Sequence, residues 1–262
     1  MSLPREASLR GLRLAAQFLT RLPVPGVSDF SPVELSRSGA WFPLVGVILG
    51  ALTACVMVLV MALIRAVPLA SSNGHSEVLA AALGLLAWVW LTGALHLDGL
   101  ADLADALAAS HRDPQRFFAV LADPHLGTFG VVSIVLALLL KLAALTALHG
   151  LALAAIPLVT AWARLGPLIW SRLKALKPGQ GERFSWNPHS GWIVFWMVAL
   201  LAASAAIAPI LCIGPLVLLA WGAWLKARLG GMTGDCLGAG VEVTEGVLIL
   251  SLALAGTLGA VI

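Results

Sequence analysis

Residues 41–64 read WFPLVGVILGALTACVMVLVMALI, 24 positions without a single charge. A bilayer core takes about 20 consecutive apolar residues in a helix. Inside lipid the backbone has no water to bond to, so only helices or closed barrels cross it. Barrel strands alternate apolar and polar residues over about 10 positions, and this run does not alternate. The stretch reads as a membrane-spanning helix.

Similar runs recur outward from it, at about 78–95, 129–148, 151–170, 192–211, 215–225 and 247–262. Pro209 and Gly214-Pro215 place a sharp turn between the fifth and sixth. The last two are short, so six to seven spans are expected, in one all-α, polytopic transmembrane domain over 1–262. Hydrophobic residues make up 60% of the chain and charged ones 11%, against about 25% charged in a soluble domain. The basic start (Arg5, Arg10, Arg13) precedes the first apolar run by too much for a cleavable signal peptide. Cys55, Cys212 and Cys236 are far apart and odd in number, with neither a disulfide framework nor zinc-ligand spacing.

Charge sets the expected orientation. With the N-terminus in the cytoplasm, 13 of the 16 basic residues fall on that side, from Arg5 to Arg228 and including Arg112 and Arg183. Only Arg65 falls outside, and Lys141 and Arg164 fall within spans. This follows the positive-inside rule. It also accounts for the net charge of +3 and the pI near 9.1 with membrane lipid as the partner and no nucleic acid. Twelve of the 13 acids share the cytoplasmic side, with Glu77 the exception, and none is expected mid-span.

The acids are patterned. Asp98, Asp102 and Asp105 recur at i, i+4 and i+7 behind His96, which places them on one face if the stretch is helical. Three like charges on one face repel unless a cation lies between them, and aspartate suits hard ions such as Mg²⁺ or Mn²⁺. A second block, Asp123-Pro-His-Leu-Gly127-Thr128-Phe-Gly130, stands before a span. There backbone N–H groups at a helix start suit an anion. A third holds Gly230, Gly231, Gly234, Gly238 and Gly240, with Thr233, Asp235, Glu242 and Glu245 among or just after them. Read as a loop, it lets backbone approach a ligand closely. Lys226 and Arg228 precede it.

Carboxylates, glycine-rich turns and basic residues at one membrane face suit metal-assisted transfer of a phosphoryl-linked group. The alternative is a membrane cation transporter. It would carry acids near the bilayer midplane, and no acid is expected there.

The chain resembles the cobalamin synthase family in four stretches, in order and nearly end to end. These are Phe18-Leu-Thr20-Arg21-Leu-Pro23-Val-Pro25, His96-Leu-Asp98-Gly99-Leu-Ala-Asp102-Leu-Ala-Asp105, Asp123-Pro-His-Leu-Gly127-Thr128-Phe-Gly130 and Gly231-Met-Thr233-Gly234-Asp235. The resemblance implies an adenosylcobinamide-GDP ribazoletransferase. Such an enzyme joins adenosylcobinamide-GDP to α-ribazole or its 5′-phosphate and releases GMP and adenosylcobalamin or its phosphate. It further implies Mg²⁺ and a bacterial or archaeal cytoplasmic membrane. The expected catalytic and metal-holding residues are Asp98, Asp102, Asp105 and Asp235. Those expected around the substrates are Arg21, His96, Asp123, Gly127, Thr128, Thr233, Gly234, Glu242 and Glu245. A homo-oligomer is compatible with all of this.

Overall fold

The computed structural model describes residues 5–66, 75–110, 113–177 and 190–257. Arg112, Arg183 and the last five positions of the expected final span lie outside the described residues.

The described residues form an all-helical bundle. α1 (Arg5–Leu19) buries Leu14, Ala15 and Leu19 against Phe42, Val45 and Leu49 of α3 (Phe42–Ala66) and leaves Arg13 exposed. Between them, α2 (Pro32–Ser38) starts on a reciprocal cap in which Ser31 and Glu34 each accept the other's backbone N–H. α4 (His75–Thr92) ends at Gly93 and Ala94, both with left-handed backbone (φ 61° and 60°), and α5 (Leu95–Ser110) departs at 85°. α6 (Pro114–Val120) follows, capped by Asp113, then α7 (Thr128–Thr146), α8 (Ile156–Trp170), α9 (Ser190–Ile207), α10 (Gly214–Leu229) and α11 (Gly234–Thr257). Asp113 therefore only starts a helix, its carboxylate accepting from Gln115 N–H at 2.9 Å.

Six helical stretches are long and apolar enough to cross a membrane, seven counting the bent α4–α5 pair, as the sequence leads one to expect. We read α4 as the crossing and α5, with its three carboxylates, as lying outside the spanning set. The turn expected near Pro209 is a short 3₁₀ segment, Pro209–Ile213. Leu136, Leu139, Val194, Val198, Leu216 and Leu219 on α7, α9 and α10 are all more than half exposed, the faces that lipid covers.

α8 and α11 are the inner helices. From Ile156 to Trp170 only Pro157, Leu168 and Ile169 are not buried. α3 meets α8 through glycine: a methyl at Gly46 would stand 2.6 Å from the Thr160 carbonyl oxygen. Trp162 donates to Ser204 Oγ at 3.0 Å and Trp170 to the Leu218 carbonyl at 2.8 Å, tying α9 and α10 to α8. Small residues at helix contacts and buried donors between helices are how a bundle packs where lipid removes the hydrophobic drive.

Two expectations fail here. The last span begins not at 247 but at Gly234, so the glycine-rich block is mostly helix. Of its five glycines only Gly230, the left-handed C-cap of α10 (φ 76°), and Gly231 stay outside it. Glycine in that block serves helix packing and not a flexible loop. As a result Glu242 and Glu245 lie within a spanning helix, against the expectation that no acid sits mid-span.

Candidate active site

α5 presents its acids on one side and its core residues Leu103 and Ala106 on another. Asp98 is exposed, and Asp102 and Asp105 are half-buried. The first turn of α11 crosses α5 backbone to backbone. A methyl at Gly99 would stand 2.9 Å from the Asp235 carbonyl oxygen, and one at Gly238 would stand 3.5 Å from the His96 Cα. That closeness carries Asp235 to the Asp98 side of α5. Glycines at these two positions thus assemble the acidic group.

The charges of Asp98 and Asp235 reach Asp102, and that of Asp98 reaches Asp235, with Lys177 as the opposing cation. Burial pushes the Asp102 carboxyl up to about 6, helped by the negative charges of Asp98, Asp235 and Asp105 and opposed by Lys177. Lys177 arrives through a short parallel pairing after α8. Met232 N–H donates to the Lys174 carbonyl at 2.8 Å and Leu176 N–H to the Met232 carbonyl at 2.9 Å. Lys177 Nζ also donates to the Leu121 carbonyl at 3.2 Å.

Among the described residues no three His, Cys, Asp or Glu side chains close around a point as a complete metal cage would. A cluster of mutually repelling aspartates still fits Mg²⁺, which is commonly held by one or two carboxylates, with waters and substrate phosphates filling the other positions. Thr233 caps α11: its Oγ1 accepts from Cys236 N–H and donates to Asp235, both at 3.3 Å. It orients Asp235. Gly234, exposed, opens the helix.

The remaining expected residues divide. Asp105 accepts Gly127 N–H at 2.7 Å and Gly130 N–H at 2.9 Å. The anion at the start of α7, expected to be substrate, is the protein's own Asp105. A methyl at Gly127 would come within 2.5 Å of that carboxylate. Thr128 is exposed and makes no side-chain cap; Gly127 is the N-cap. Asp123 stays apart on an exposed turn, accepting from His125 N–H at 3.0 Å and pairing with its ring at 2.6 Å. Those contacts hold its carboxyl below the usual range. Arg21 donates its backbone N–H to Leu91 at 2.7 Å and lays its side chain against Gly93, at the head of α5. His96 is buried on the inner side of α5, and its Nδ1 has no hydrogen-bond partner among the described residues.

Glu242 and Glu245 are not on an open site. Both are buried and ion-paired: Lys141 of α7 binds Glu242 at 2.6 Å and also Glu245, and Arg164 of α8 binds Glu245. The Lys141 ammonium also lies 5.0 Å from the centre of the Trp88 ring. Acids inside the bundle remove the sequence argument against a transporter, but these two carry no uncompensated charge. Sequence reasoning missed Lys177 as a site residue. No spacing pattern announces it, because the pairing of 174–176 with 232 brings it in.

A family model described as cobalamin-5-phosphate synthase matches residues 11–253. An adenosylcobinamide-GDP ribazoletransferase of Thiobacillus denitrificans is 46% identical over 257 residues, covering 94% of this chain and 98% of the relative. One from Laribacter hongkongensis is 46% identical over 250 residues, with 93% and 97% covered. One from Novosphingobium aromaticivorans is 44% identical over 253, with 95% and 98% covered. No solved structure matches.

Proposed function

The chain belongs to the cobalamin-5-phosphate synthase family, and from that premise and the geometry of α5 and α11 we propose how it works as an adenosylcobinamide-GDP ribazoletransferase. The observation that carries the reading is the meeting of Asp98, Asp102 and Asp235, with Lys177 the cation that acts on them among the described residues.

A ribose hydroxyl of α-ribazole, or of its 5′-phosphate, attacks the phosphorus that bears the cobinamide. A new P–O bond forms, the diphosphate P–O bond breaks, and GMP leaves with the bond's electrons. Asp102 takes the hydroxyl proton. Its half-buried carboxylate stands one turn along α5 from Asp98, within the same group of acids. Asp98 and Asp235 are the groups that would hold Mg²⁺, and the ion when bound supplies charge neutralisation to the diphosphate. Lys177 meets the departing phosphate. Thr233 and Asp105 hold their elements in place and touch no reacting atom. Arg21, beside the α4–α5 break, faces incoming substrate.

The site belongs on the cytoplasmic face of a cytoplasmic membrane. The basic residues just before its elements in the chain (Lys174 and Lys177 after α8, Lys226 and Arg228 at the end of α10) are those the positive-inside rule keeps there. The test is purified protein in detergent, without a gradient, supplied with adenosylcobinamide-GDP, α-ribazole and Mg²⁺. GMP should appear only when both substrates are present, and a chelator should stop it. No GMP under any metal or lipid condition overturns the reading.

A further inference from the structure

Among the described residues five buried side-chain atoms lack a hydrogen-bond partner, and four of them fall in one place: His96 Nδ1, Arg164 Nε and Nη2, and Glu245 Oε1. The helices bring them together. Gly238, Glu242 and Glu245 recur at i, i+4 and i+7, hence on one face of α11. The Gly238 end of that face meets α5 at His96, where an added methyl would stand 3.5 Å from the His96 Cα. Glu242 follows about 6 Å along the axis and pairs with Lys141, and Arg164 of α8 pairs with Glu245. Burial first, then the charges of Arg164 and Lys141, push the His96 ring well below its ordinary pKa. A neutral imidazole has one bare nitrogen, which can only accept a hydrogen bond. On Arg164, Nε and Nη2 form the side of the guanidinium that holds a partner with two parallel donors.

We infer that a buried water accepts from Arg164 and donates to His96 Nδ1, and that His96 is thereby a positioning residue, setting the Asp98 turn of α5 against Asp235. The positioning role rests on the transferase reading above; the water does not. Charge and access select the occupant. Two bases, Lys141 and Arg164, already cancel two acids, Glu242 and Glu245, so any ion added here would be a buried charge without a counterpart. A substrate group has no way in, because none of these four side chains, nor His96, belongs to a residue more than 7% exposed. Water is neutral and small, and it both accepts from the guanidinium and donates to a bare nitrogen. Its second hydrogen can serve Glu245. The consequence for the site follows from the helix. His96 stands two residues before Asp98, on the far side of α5 from it, so it touches no reacting atom. A tie at that point fixes the rotation of α5 about its axis, and with it the direction in which the carboxylates point.

Two measurements test this. A structure of the full-length protein in detergent, at a resolution that shows waters, should place one within hydrogen-bond distance of His96 Nδ1 and of Arg164 Nε or Nη2. A protein group bonded directly to Nδ1, or an ion in that place, overturns the inference. Kinetics then separate positioning from packing, with rates taken per folded molecule. Asparagine carries its oxygen where histidine carries Nδ1, glutamine reaches only to the Nε2 end, and leucine has no acceptor. His96→Asn should therefore release GMP close to the wild-type rate. His96→Gln and His96→Leu should lose about ten- to a hundredfold in kcat, the cost of a misplaced catalytic group, with KM for both substrates nearly unchanged. A raised KM at unchanged kcat would make His96 a substrate contact, and equal rates for His96→Asn and His96→Leu would make it a packing residue; either result overturns the positioning role. If His96→Leu does not fold, the comparison of His96→Asn with His96→Gln decides. Wild-type protein that shows the water but releases no GMP would sink the transferase reading, and the positioning role with it, and leave the water site standing.

Discussion

Asp235 and Glu245 stand ten residues apart on the same helix, yet their surroundings are opposite. Around Glu245 the charges close: two acids, Glu242 and Glu245, meet two bases, Lys141 and Arg164, all buried. Around Asp235 they stay open. Among the described residues Lys177 alone opposes the charges at Asp102 and Asp235, and Asp98 is exposed. A buried charge without a partner costs several kcal/mol, so a balanced cluster in the bundle interior serves to hold helices. An unbalanced cluster at the rim gains by taking up a cation and a phosphate. The difference teaches that acid count marks neither site; net charge and access do.

The sharpest way to break the contrast is to remove charge from the open cluster alone. Asp98→Asn, Asp102→Asn and Asp235→Asn each keep shape and lose an anion. Turnover should fall roughly 10²–10⁴-fold, the scale of a lost acid–base or metal-holding group. Thermal unfolding in detergent should hardly move, since relieving repulsion does not loosen the fold. Steady-state GMP release and a melting curve on each variant decide it. Near-wild-type rates in all three would show that the open cluster is not the reaction centre.

The closed cluster should respond the other way. Glu245→Gln leaves Arg164 with no ion pair and Lys141 with only Glu242. Removing one partner of a buried pair costs about 3–5 kcal/mol, so the melting temperature should drop sharply and the yield of folded protein with it. Adding Lys141→Met to Glu245→Gln removes an opposed pair of charges together and should recover part of the loss. If the single variant melts like wild type, the four charges are not a structural lock, and an acid inside the bundle would again call for a functional account.

Much of this was legible before any coordinates. Uninterrupted apolar runs dictate spanning helices, and the i, i+4, i+7 spacing of Asp98, Asp102 and Asp105 dictates a shared face. The α5 carboxylates lie where that periodicity places them. The start of α11 was hidden, because Gly234, Gly238 and Gly240 lower helix propensity and read locally as a loop. Only the neighbour shows why they are tolerated: Gly238 faces α5, and Gly240 lies under Trp170 and Trp221. A loop reading of the block takes Glu242 and Glu245 out of the span and hides the partners of Lys141 and Arg164. Pairing across about 100 positions, as between Lys141 and Glu242, leaves no mark on local sequence.

Asp105 falls between the two regions and gives the finest test. It shares a helix with Asp98 and Asp102, so spacing alone puts it in the open cluster. Its oxygens, however, accept from Gly127 and Gly130 N–H at 2.7 and 2.9 Å, where the positive end of α7 favours an anion. Its negative charge is therefore answered by backbone, much as that of Glu245 is answered by arginine. Asp105→Asn keeps one acceptor oxygen and presents an NH₂ group to the other N–H. It should lower stability by about 1–2 kcal/mol, the range of a helix cap with a partly buried charge. GMP release per folded molecule should fall far less than for Asp102→Asn. The check is to measure melting and turnover on the same preparations. A turnover loss as deep as that of Asp98→Asn with unchanged melting would move Asp105 into the open cluster, and the start of α7 would then need another anion.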